Sequence, residues 1–174
     1  LRDLMRHRGP DGHGLWRREN AVLAHRRLSV IDPTEAGAQP MLGDDGRYAL
    51  VYNGELYNDA ELRASLGREF RSHCDTETVL AALITHGTGA LALFRGMYAL
   101  AFVDTRAGTL LLARDPLGIK PLYYTRTARG ELVFASEIAP LLAYPGVSDE
   151  RDYAVVRSYL TNIRTTLEDR TLYK

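Results

Sequence analysis

The chain has 174 residues, 45% of them hydrophobic and 25% charged, which suits one globular domain with a sizeable core. Its 22 basic and 22 acidic side chains cancel, so the composition gives no support for nucleic-acid binding. The longest apolar run, Met97–Val103, is too short to cross a bilayer. The single cysteine, Cys74, excludes an internal disulfide and favours a reducing, cytoplasmic setting.

The first part of the chain predicts two strands and two helices. Residues 21–31 and 48–52 are rich in β-branched and aliphatic side chains, and each run ends at a turn signal. Asn58 is expected to begin a helix with Glu61 as its capping-box partner. Asp75 is expected to begin a second helix, because the apolar residues after it recur at helical spacing until two glycines end the pattern.

The second part predicts hairpins and short helices. Short apolar runs separated by turn signals favour antiparallel pairing, and together with the helices they indicate an α+β layered fold. A linker is expected to begin at about Pro145-Gly146, which gives a domain over 1–147 and a linker with the start of a further domain over 148–174. The strands are predicted at 97–103, 109–113, 122–125 and 132–135, and the short helices at 137–143 and 152–160.

Four polar clusters carry the candidate chemistry. Each also has a structural explanation: a basic turn, an edge-strand charge, a hairpin turn at Asn53-Gly54 and a helix N-cap at Asp75. Short motifs of this kind taken singly are weak signals. The clusters are Arg6–Gly12, His25–Ser29, Asn53–Glu55 and Asp75–Glu77.

Taken together, the clusters fit an amino acid such as glutamine. An arginine such as Arg27 grips a carboxylate with two parallel hydrogen bonds. Asp75 at a helix start offers an anion to an ammonium group. Asn53 beside the sterically open N–H of Gly54 suits the oxyanion that forms when an amide is attacked.

The order of these motifs resembles the class II, or N-terminal-nucleophile, glutamine amidotransferase domain of asparagine synthetases. The resemblance covers about 4–144, and several motifs in one order are more specific than any single motif. The segments that carry it are Arg6–Asp11, Arg27–Asp32, Tyr52–Asn58, Asp75–Glu77, Arg114–Tyr124 and Phe134–Glu137.

The resemblance implies a fold and a set of site residues. The fold would be a four-layer αββα sandwich of two antiparallel sheets that lacks its first strand. Arg27 would bind the glutamine carboxylate and Asp75 the ammonium group. Asn53 and Gly54 would form the oxyanion hole, with Glu55 beside them. The backbone of Leu28, Val30 and Ile31 would line the pocket.

The nucleophile of this family is a cysteine at position one whose own α-amino group is the general base. No such cysteine stands in the sequence, both ends of which look cut, so the 174 residues alone are expected to be inactive. Cys74 is a poor substitute because its neighbour His73 points to the opposite face of an extended segment. The five histidines are too scattered for a metal site, so no metal is expected in this domain.

In the full-length protein, the resemblance implies that glutamine is hydrolysed to glutamate and that the ammonia passes to a C-terminal synthetase domain of the same chain. That domain would use ATP and Mg²⁺ to activate aspartate, whereas the amidotransferase domain needs no cofactor. L-glutamine and the synthetase domain are the expected partners, with no nucleic acid and no membrane, and homodimerisation stays open.

The sequence leaves two alternatives to a glutaminase domain of an asparagine synthetase. The chain could be a degenerate module that supports an acyl-adenylating domain, as in relatives similar to β-lactam synthetases that have lost the cysteine. The joint presence of Arg27, Asn53, Gly54 and Asp75 argues against it, since a non-catalytic domain has no physical need for all four. Another class II enzyme, making glucosamine phosphate or phosphoribosylamine, is the third option, but the motifs around Arg6 and Arg27 resemble the asparagine-synthetase branch.

Overall fold

A computed structural model describes residues 1–29, 32, 34–43, 46–163, 165–168 and 170–174. The chain forms two compact units, residues 2–122 and 123–174. Both contain helices together with antiparallel strands, which confirms the α+β class. The boundary predicted near residue 147 concerns family domains rather than compact units, and it stays a prediction.

The first unit is built on a four-stranded antiparallel sheet. Its strands, in their order across the sheet, are β3 (Met41–Leu42), β4 (Tyr48–Leu56), β5 (Gly96–Asp104) and β6 (Thr109–Arg114). Its two long central strands pair along their whole length, from Tyr48 opposite Asp104 to Leu56 opposite Gly96. A tight turn then returns the chain into the edge strand next to β5, so this half of the sheet is a hairpin meander.

Two helices, α1 (Asp59–Leu66) and α2 (Asp75–His86), supply the apolar surface that packs with this sheet. The residues of α2 from Asp75 to Leu83 are all buried, which explains why its apolar residues are not confined to one stripe. Gly87 ends α2 with a positive φ, as predicted, and a short 3-10 helix follows. The largest fully buried core side chains shared by sheet and helix are Leu50, Val79, Leu83 and Leu100.

A separate antiparallel hairpin, β1 (Gly12–Arg18) and β2 (Ala21–Arg27), completes the sheets of the first unit. Its inner residues Trp16 and Leu23 lie opposite each other and are buried. A 3-10 helix over Arg2–Arg8 precedes it. The turn after that helix requires Gly9, since a Cβ there would collide with the backbone of residues 26 and 27.

The second unit holds a hairpin and two helices. Asp152 caps the longer helix by accepting hydrogen bonds from the N–H groups of Ala154 and Val155, and it also forms a paired ion contact with Arg170. The elements are β7 (Tyr123–Arg126), β8 (Leu132–Ala135), α3 (Ile138–Leu142) and α4 (Tyr153–Asn162).

Three local expectations were wrong. The strand predicted over 21–31 ends at Arg27, and its last two residues lie outside the described part of the chain. The strand predicted to stop at Asn53-Gly54 continues to Leu56, so this dipeptide is not a hairpin turn. Asn58 does precede α1, but it forms no capping box, because its side chain bonds instead to the carbonyl of Leu93 and the N–H of Arg95.

The helix predicted from Asp75 does begin there, although its N-cap is Cys74. The two hairpins predicted in the second half are both present and antiparallel. None of the helices in the described residues is long and apolar enough to cross a membrane.

Candidate glutamine site

Arg27, the predicted carboxylate ligand, is the last residue of β2 and is half-buried. Its Nη1 donates to the carbonyl of Thr34 at 2.7 Å, and its Nη2 donates to the carbonyl of Asp32. The guanidinium also lies against Gly37, where a Cβ would collide with it. Since a guanidinium has five N–H groups and these contacts use two, Arg27 is held in place with donors left for a ligand.

Asp75, the predicted ammonium ligand, is the first residue of α2 and only 4% exposed. Its Oδ2 accepts from the backbone N–H of Leu56 at 2.9 Å and from the hydroxyl of Tyr52 at 3.2 Å. In the described part of the chain, Oδ1 contacts only the Cys74 thiol, at 3.7 Å. Burial raises the pKa of Asp75, with these hydrogen bonds acting in the opposite direction. One oxygen fixes the carboxylate, and the other retains capacity for a cation.

Gly54, the predicted oxyanion donor, lies inside β4 opposite Tyr98. Tyr98 uses both its backbone groups on Asp115: its N–H donates to Oδ2 at 3.3 Å, and its carbonyl accepts from the Asp115 N–H at 2.8 Å. Gly54 and Tyr98 are therefore a non-hydrogen-bonded pair, and the Gly54 N–H points away from β5.

The edge of β4 that Gly54 faces is covered on both sides of it but not at Gly54 itself. Strand β3 pairs only with Ala49 and Leu50. Further along, the N–H of Tyr52 donates to Gln39 Oε1 at 2.7 Å, and the N–H of Leu56 donates to Asp75. No residue in the described part of the chain accepts a hydrogen bond from the Gly54 N–H, which leaves one open backbone donor beside Asp75.

The glycine at this position is required by close contacts. A Cβ on Gly54 would lie 2.5 Å from the carbonyl oxygen of Met97 and 2.7 Å from Cζ of Tyr52. Any larger residue would push β4 away from β5 or displace the Tyr52 ring. The Tyr52 hydroxyl is one of the two groups that donate to Asp75 Oδ2, so such a change would affect both predicted subsites.

The side chain of Asn53 is half-buried, and no described residue hydrogen-bonds to it. Its amide is thus open to a ligand, as an oxyanion donor would be. Glu55, two residues on, is exposed. Leu28 carries a side chain that is 59% exposed, whereas Val30 and Ile31 lie outside the described residues.

A chain of contacts connects the two predicted ends of the substrate site. The loop that holds Arg27 contains Asp32, whose Oδ2 accepts from the backbone N–H of His73 at 3.2 Å. His73 is two residues from Asp75, and Asp75 is bonded to β4. The structure therefore brings Arg27, Asp75 and Gly54 into one connected region of the first unit, while their roles toward a ligand stay predictions.

His25, on β2 two residues before Arg27, belongs to a candidate cluster, but the sequence assigned it no role. Its Nδ1 is buried and has no hydrogen-bond partner among the described residues. Burial, reinforced by the charge of Arg27, lowers the pKa of His25 to about 4, so the ring is neutral at physiological pH. A histidine in a strand of alternating polarity gave no signal beyond its position in the motif.

Cys74 does not have the environment of a nucleophile. Burial raises the pKa of its thiol, although a contact with Thr76 acts in the opposite direction. The Sγ atom lies 3.3 Å from Thr76 Oγ1, and no histidine in the described residues bonds to it. These contacts suit a half-buried residue packed ahead of a helix rather than a nucleophile.

Among the described residues, no three His, Cys, Asp or Glu side chains cluster closely enough to hold a metal ion. The absence of a metal from this domain remains a prediction.

The whole chain, residues 1–174, matches the glutamine amidotransferase domain family, and it belongs to that family. The relatives it resembles are glutamine-hydrolysing asparagine synthetases. It is 42% identical over 144 residues to asparagine synthetase B of Escherichia coli, an alignment that covers 82% of this chain and 26% of that protein.

Two further relatives give the same result. Asparagine synthetase 3 of Arabidopsis thaliana is 41% identical over 138 residues, which cover 79% of this chain and 24% of the plant protein. Asparagine synthetase 1 of Bacillus subtilis is 41% identical over 145 residues, which cover 82% of this chain and 23% of that protein. The chain spans about a quarter of the length of these curated relatives. It is thus a glutamine amidotransferase domain homologous to those of asparagine synthetases.

Proposed function

We propose that this domain binds L-glutamine and hydrolyses its side-chain amide to glutamate and ammonia. The observation that carries the proposal is the Gly54 N–H, from which no described residue accepts a hydrogen bond. It lies between the carboxylate of Asp75 and the amide of Asn53, which also has no partner among the described residues. An oxyanion needs donors of this kind, and an α-ammonium group needs a fixed buried anion. Arg27 supplies the third contact, to the α-carboxylate.

The proposed reaction begins when a thiolate attacks the side-chain carbonyl carbon of glutamine. The carbonyl electrons move to the oxygen, which the Gly54 N–H and the Asn53 amide stabilise, and the amine leaves as ammonia after protonation. Water then releases glutamate from the thioester. Each donor acts mainly on the tetrahedral state, so these residues affect kcat more than KM.

We further propose that the nucleophile is an N-terminal cysteine encoded upstream of Leu1. The reason is chemical: Cys74 is the only cysteine of the sequence, and its burial and contacts suit packing rather than attack. Reading the codons before Leu1 tests this directly. A reading frame without Met-Cys at its start would overturn it.

For the full-length protein, we propose glutamine-dependent asparagine synthesis, supported by the activity for which the relatives are named and by their fourfold greater length. A C-terminal synthetase domain would use ATP and Mg²⁺ to activate aspartate and would receive the ammonia. A cytoplasmic location, homodimerisation and the four-layer αββα arrangement with an additional first strand belong to the same proposal.

The decisive experiment measures glutamate release by the full-length protein with and without Asn53→Ala. Removing one oxyanion donor is expected to lower kcat by about 100-fold or more with a small change in the KM for glutamine. Asn58→Ala is the matched control, because the Asn58 side chain bonds to backbone groups of Leu93 and Arg95 and lies outside the proposed site. It is expected to lower stability and leave kcat near wild type. Equal kcat in wild type and Asn53→Ala would contradict the proposed role.

A further inference from the structure

The Gln39 side chain covers part of the edge of β4 between strand β3 and the open Gly54 position. Edge strands present unpaired N–H and C=O groups, which another strand normally satisfies. Here β3 stops at Leu50, and the next outward N–H, on Tyr52, donates to Gln39 Oε1 at 2.7 Å. A side-chain amide thus takes the place of a neighbouring strand's carbonyl.

The other end of the Gln39 amide is fixed on α2. Its Nε2 donates to Thr76 Oγ1 at 3.3 Å, and Thr76 is 1% exposed in the first turn of that helix. Thr76 is the residue after Asp75. One amide therefore spans the gap between the strand that carries the proposed oxyanion donor and the helix turn that carries the proposed ammonium ligand.

The backbone of Gln39 is fixed as well. A Cβ on Gly14 of β1 would collide with the Gln39 carbonyl oxygen and would lie 2.9 Å from its carbonyl carbon. The hairpin β1–β2 thus approaches the Gln39 main chain as closely as a glycine permits. With both main chain and side chain held, Gln39 has few alternative conformations and acts as a rigid connection.

We infer that Gln39 is a positioning residue for glutaminase catalysis, setting the location of the Gly54 N–H relative to Asp75 through Tyr52 and Thr76. The inference rests on the proposed function. Tyr52 is two residues from Gly54 and also bonds to Asp75 through its hydroxyl, so a shift of the Tyr52 backbone moves both subsites. Gln39 itself touches no reacting atom in this scheme.

The test compares steady-state glutamate release by the full-length protein and its Gln39→Leu variant. Because an oxyanion hole acts in the transition state, a displaced donor is expected to lower kcat about tenfold, with a KM change of less than about threefold. Gln39→Glu keeps an acceptor for the Tyr52 N–H and lets the Thr76 hydroxyl donate instead, so it is expected to recover most of the kcat.

A matched control lies at the other end of β4, where Asp104 of β5 is opposite the first residue of β4. The Asp104 carboxylate accepts two hydrogen bonds from Arg47, at 2.8 and 2.6 Å, next to the first residue of β4. Asp104→Asn is expected to lower stability without changing kcat. Amide hydrogen exchange gives a second readout: the Tyr52 amide is expected to exchange faster in Gln39→Leu than in wild type, because it has lost its acceptor.

The outcomes separate this inference from the proposed function. No glutamate release by the wild-type protein would overturn both. Wild-type activity with an unchanged kcat in Gln39→Leu, or with unchanged exchange at Tyr52, would overturn the role of Gln39 alone. A kcat loss that Gln39→Glu does not recover would also overturn it. If Gln39→Leu does not fold, Gln39→Asn replaces it, because a side chain one methylene shorter cannot reach both Tyr52 and Thr76. An unchanged kcat in Gln39→Asn would likewise overturn the role of Gln39.

Discussion

The carboxylate of Asp75 accepts a hydrogen bond at 2.9 Å from the backbone N–H of Leu56, which joins the first residue of α2 to the last residue of β4. This contact places a buried anion next to the strand that carries Asn53 and Gly54. The effect of this buried carboxylate on stability and its effect on glutamine binding can be measured separately.

Asp75→Asn is expected to separate stability from substrate binding. Burial raises the pKa of Asp75, so the ionised form is less favourable in the folded state than in the unfolded chain. That penalty is absent below the unfolded pKa and develops as pH rises through the raised folded pKa. The neutral amide of Asp75→Asn can still accept from the Leu56 N–H. At neutral pH, the variant should therefore unfold at a denaturant concentration equal to or higher than that of the wild type. The KM for glutamine should rise about tenfold or more, because a charged hydrogen bond is lost.

Asp59→Asn is the control for this experiment. Asp59 bonds to Arg63 at 2.9 Å and to the Thr78 hydroxyl, and it stabilises α1 and α2 without belonging to the proposed site. Its replacement should lower stability and leave the KM unchanged. Reduced stability together with an unchanged KM in Asp75→Asn would contradict the ammonium role.

Gly54→Ala is expected to disrupt both the fold and the proposed oxyanion hole. The added methyl would lie 2.5 Å from the Met97 carbonyl oxygen, a backbone atom that cannot move alone. We expect a loss of about 1–3 kcal/mol in the free energy of unfolding, measured by denaturant titration, and a large fall in kcat. Gly89→Ala is the matched control, since a Cβ there meets nothing within 4 Å, and it should change stability by less than about 0.5 kcal/mol. Equal stabilities of the two variants would show that the contact at Gly54 relaxes freely.

His25→Asn is expected to remove part of the acid sensitivity of the fold. Burial lowers the pKa of His25 to about 4 from an ordinary value of 6.5. The unfolded chain therefore binds a proton between these values while the folded protein does not. The stability that the neutral ring supplies is complete above pH 6.5 and is lost as pH falls toward 4, by up to about 3 kcal/mol.

The measurement is the free energy of unfolding from pH 4.5 to pH 7.5 for wild type and variant. The slope should be smaller in His25→Asn across this range. The exposed His86 supplies the control, and His86→Asn should keep the wild-type slope. An identical slope in all three proteins would mean that His25 is protonated as readily in the folded state as in the unfolded chain.

Arg27→Lys is expected to weaken glutamine binding more than it weakens the fold. A lysine keeps the charge but cannot present parallel donors to a carboxylate, which should cost on the order of 2–3 kcal/mol in affinity. Arg114→Lys is a suitable control, because Arg114 also donates to two backbone carbonyls, those of Gly118 and Lys120, away from the proposed site. A KM that rises equally in both variants would argue against a specific carboxylate contact at Arg27.

Cys74→Ser is expected to retain glutaminase activity. Cys74 is the N-cap of α2 but makes no side-chain cap hydrogen bond, and serine is favoured at that position. The variant should be as stable as wild type or more so by up to about 1 kcal/mol. Loss of glutamate release in a folded Cys74→Ser protein would show that this thiol takes part in catalysis.

The sequence alone was sufficient for the β5–β6 and β7–β8 hairpins and for α2, because their apolar spacing and turn residues act locally. It did not predict strand β1, so the β1–β2 hairpin was missed. It failed at Asn53-Gly54, where the same dipeptide that closes hairpins lies in the middle of a paired strand. At this position, the long pairing of β4 with β5 outweighs the local preference for a turn. The residue is a glycine because the Met97 carbonyl approaches too closely for a Cβ.

The candidate site was predicted residue by residue from motifs, but its supporting contacts were not. Asn58 has the local sequence of a helix cap, but its side chain instead bonds to the backbone of Leu93 and Arg95 and so connects two loops. Gln39 and His25 lie far along the chain from Asp75, and nothing in their local sequence indicates which strand edge they face. Contacts of this type depend on tertiary packing, which a single sequence does not encode in any local pattern.

The open N–H of Gly54 also bears on how the protein avoids pairing with other chains. An uncovered strand edge normally invites another strand, which needs several consecutive donors and acceptors to bind. Here the two N–H groups on either side are already taken by side chains, so the gap is one residue pair, roughly 7 Å, long. A gap of that length accepts a single carbonyl group but cannot align a β-strand, so this donor can remain exposed without promoting aggregation.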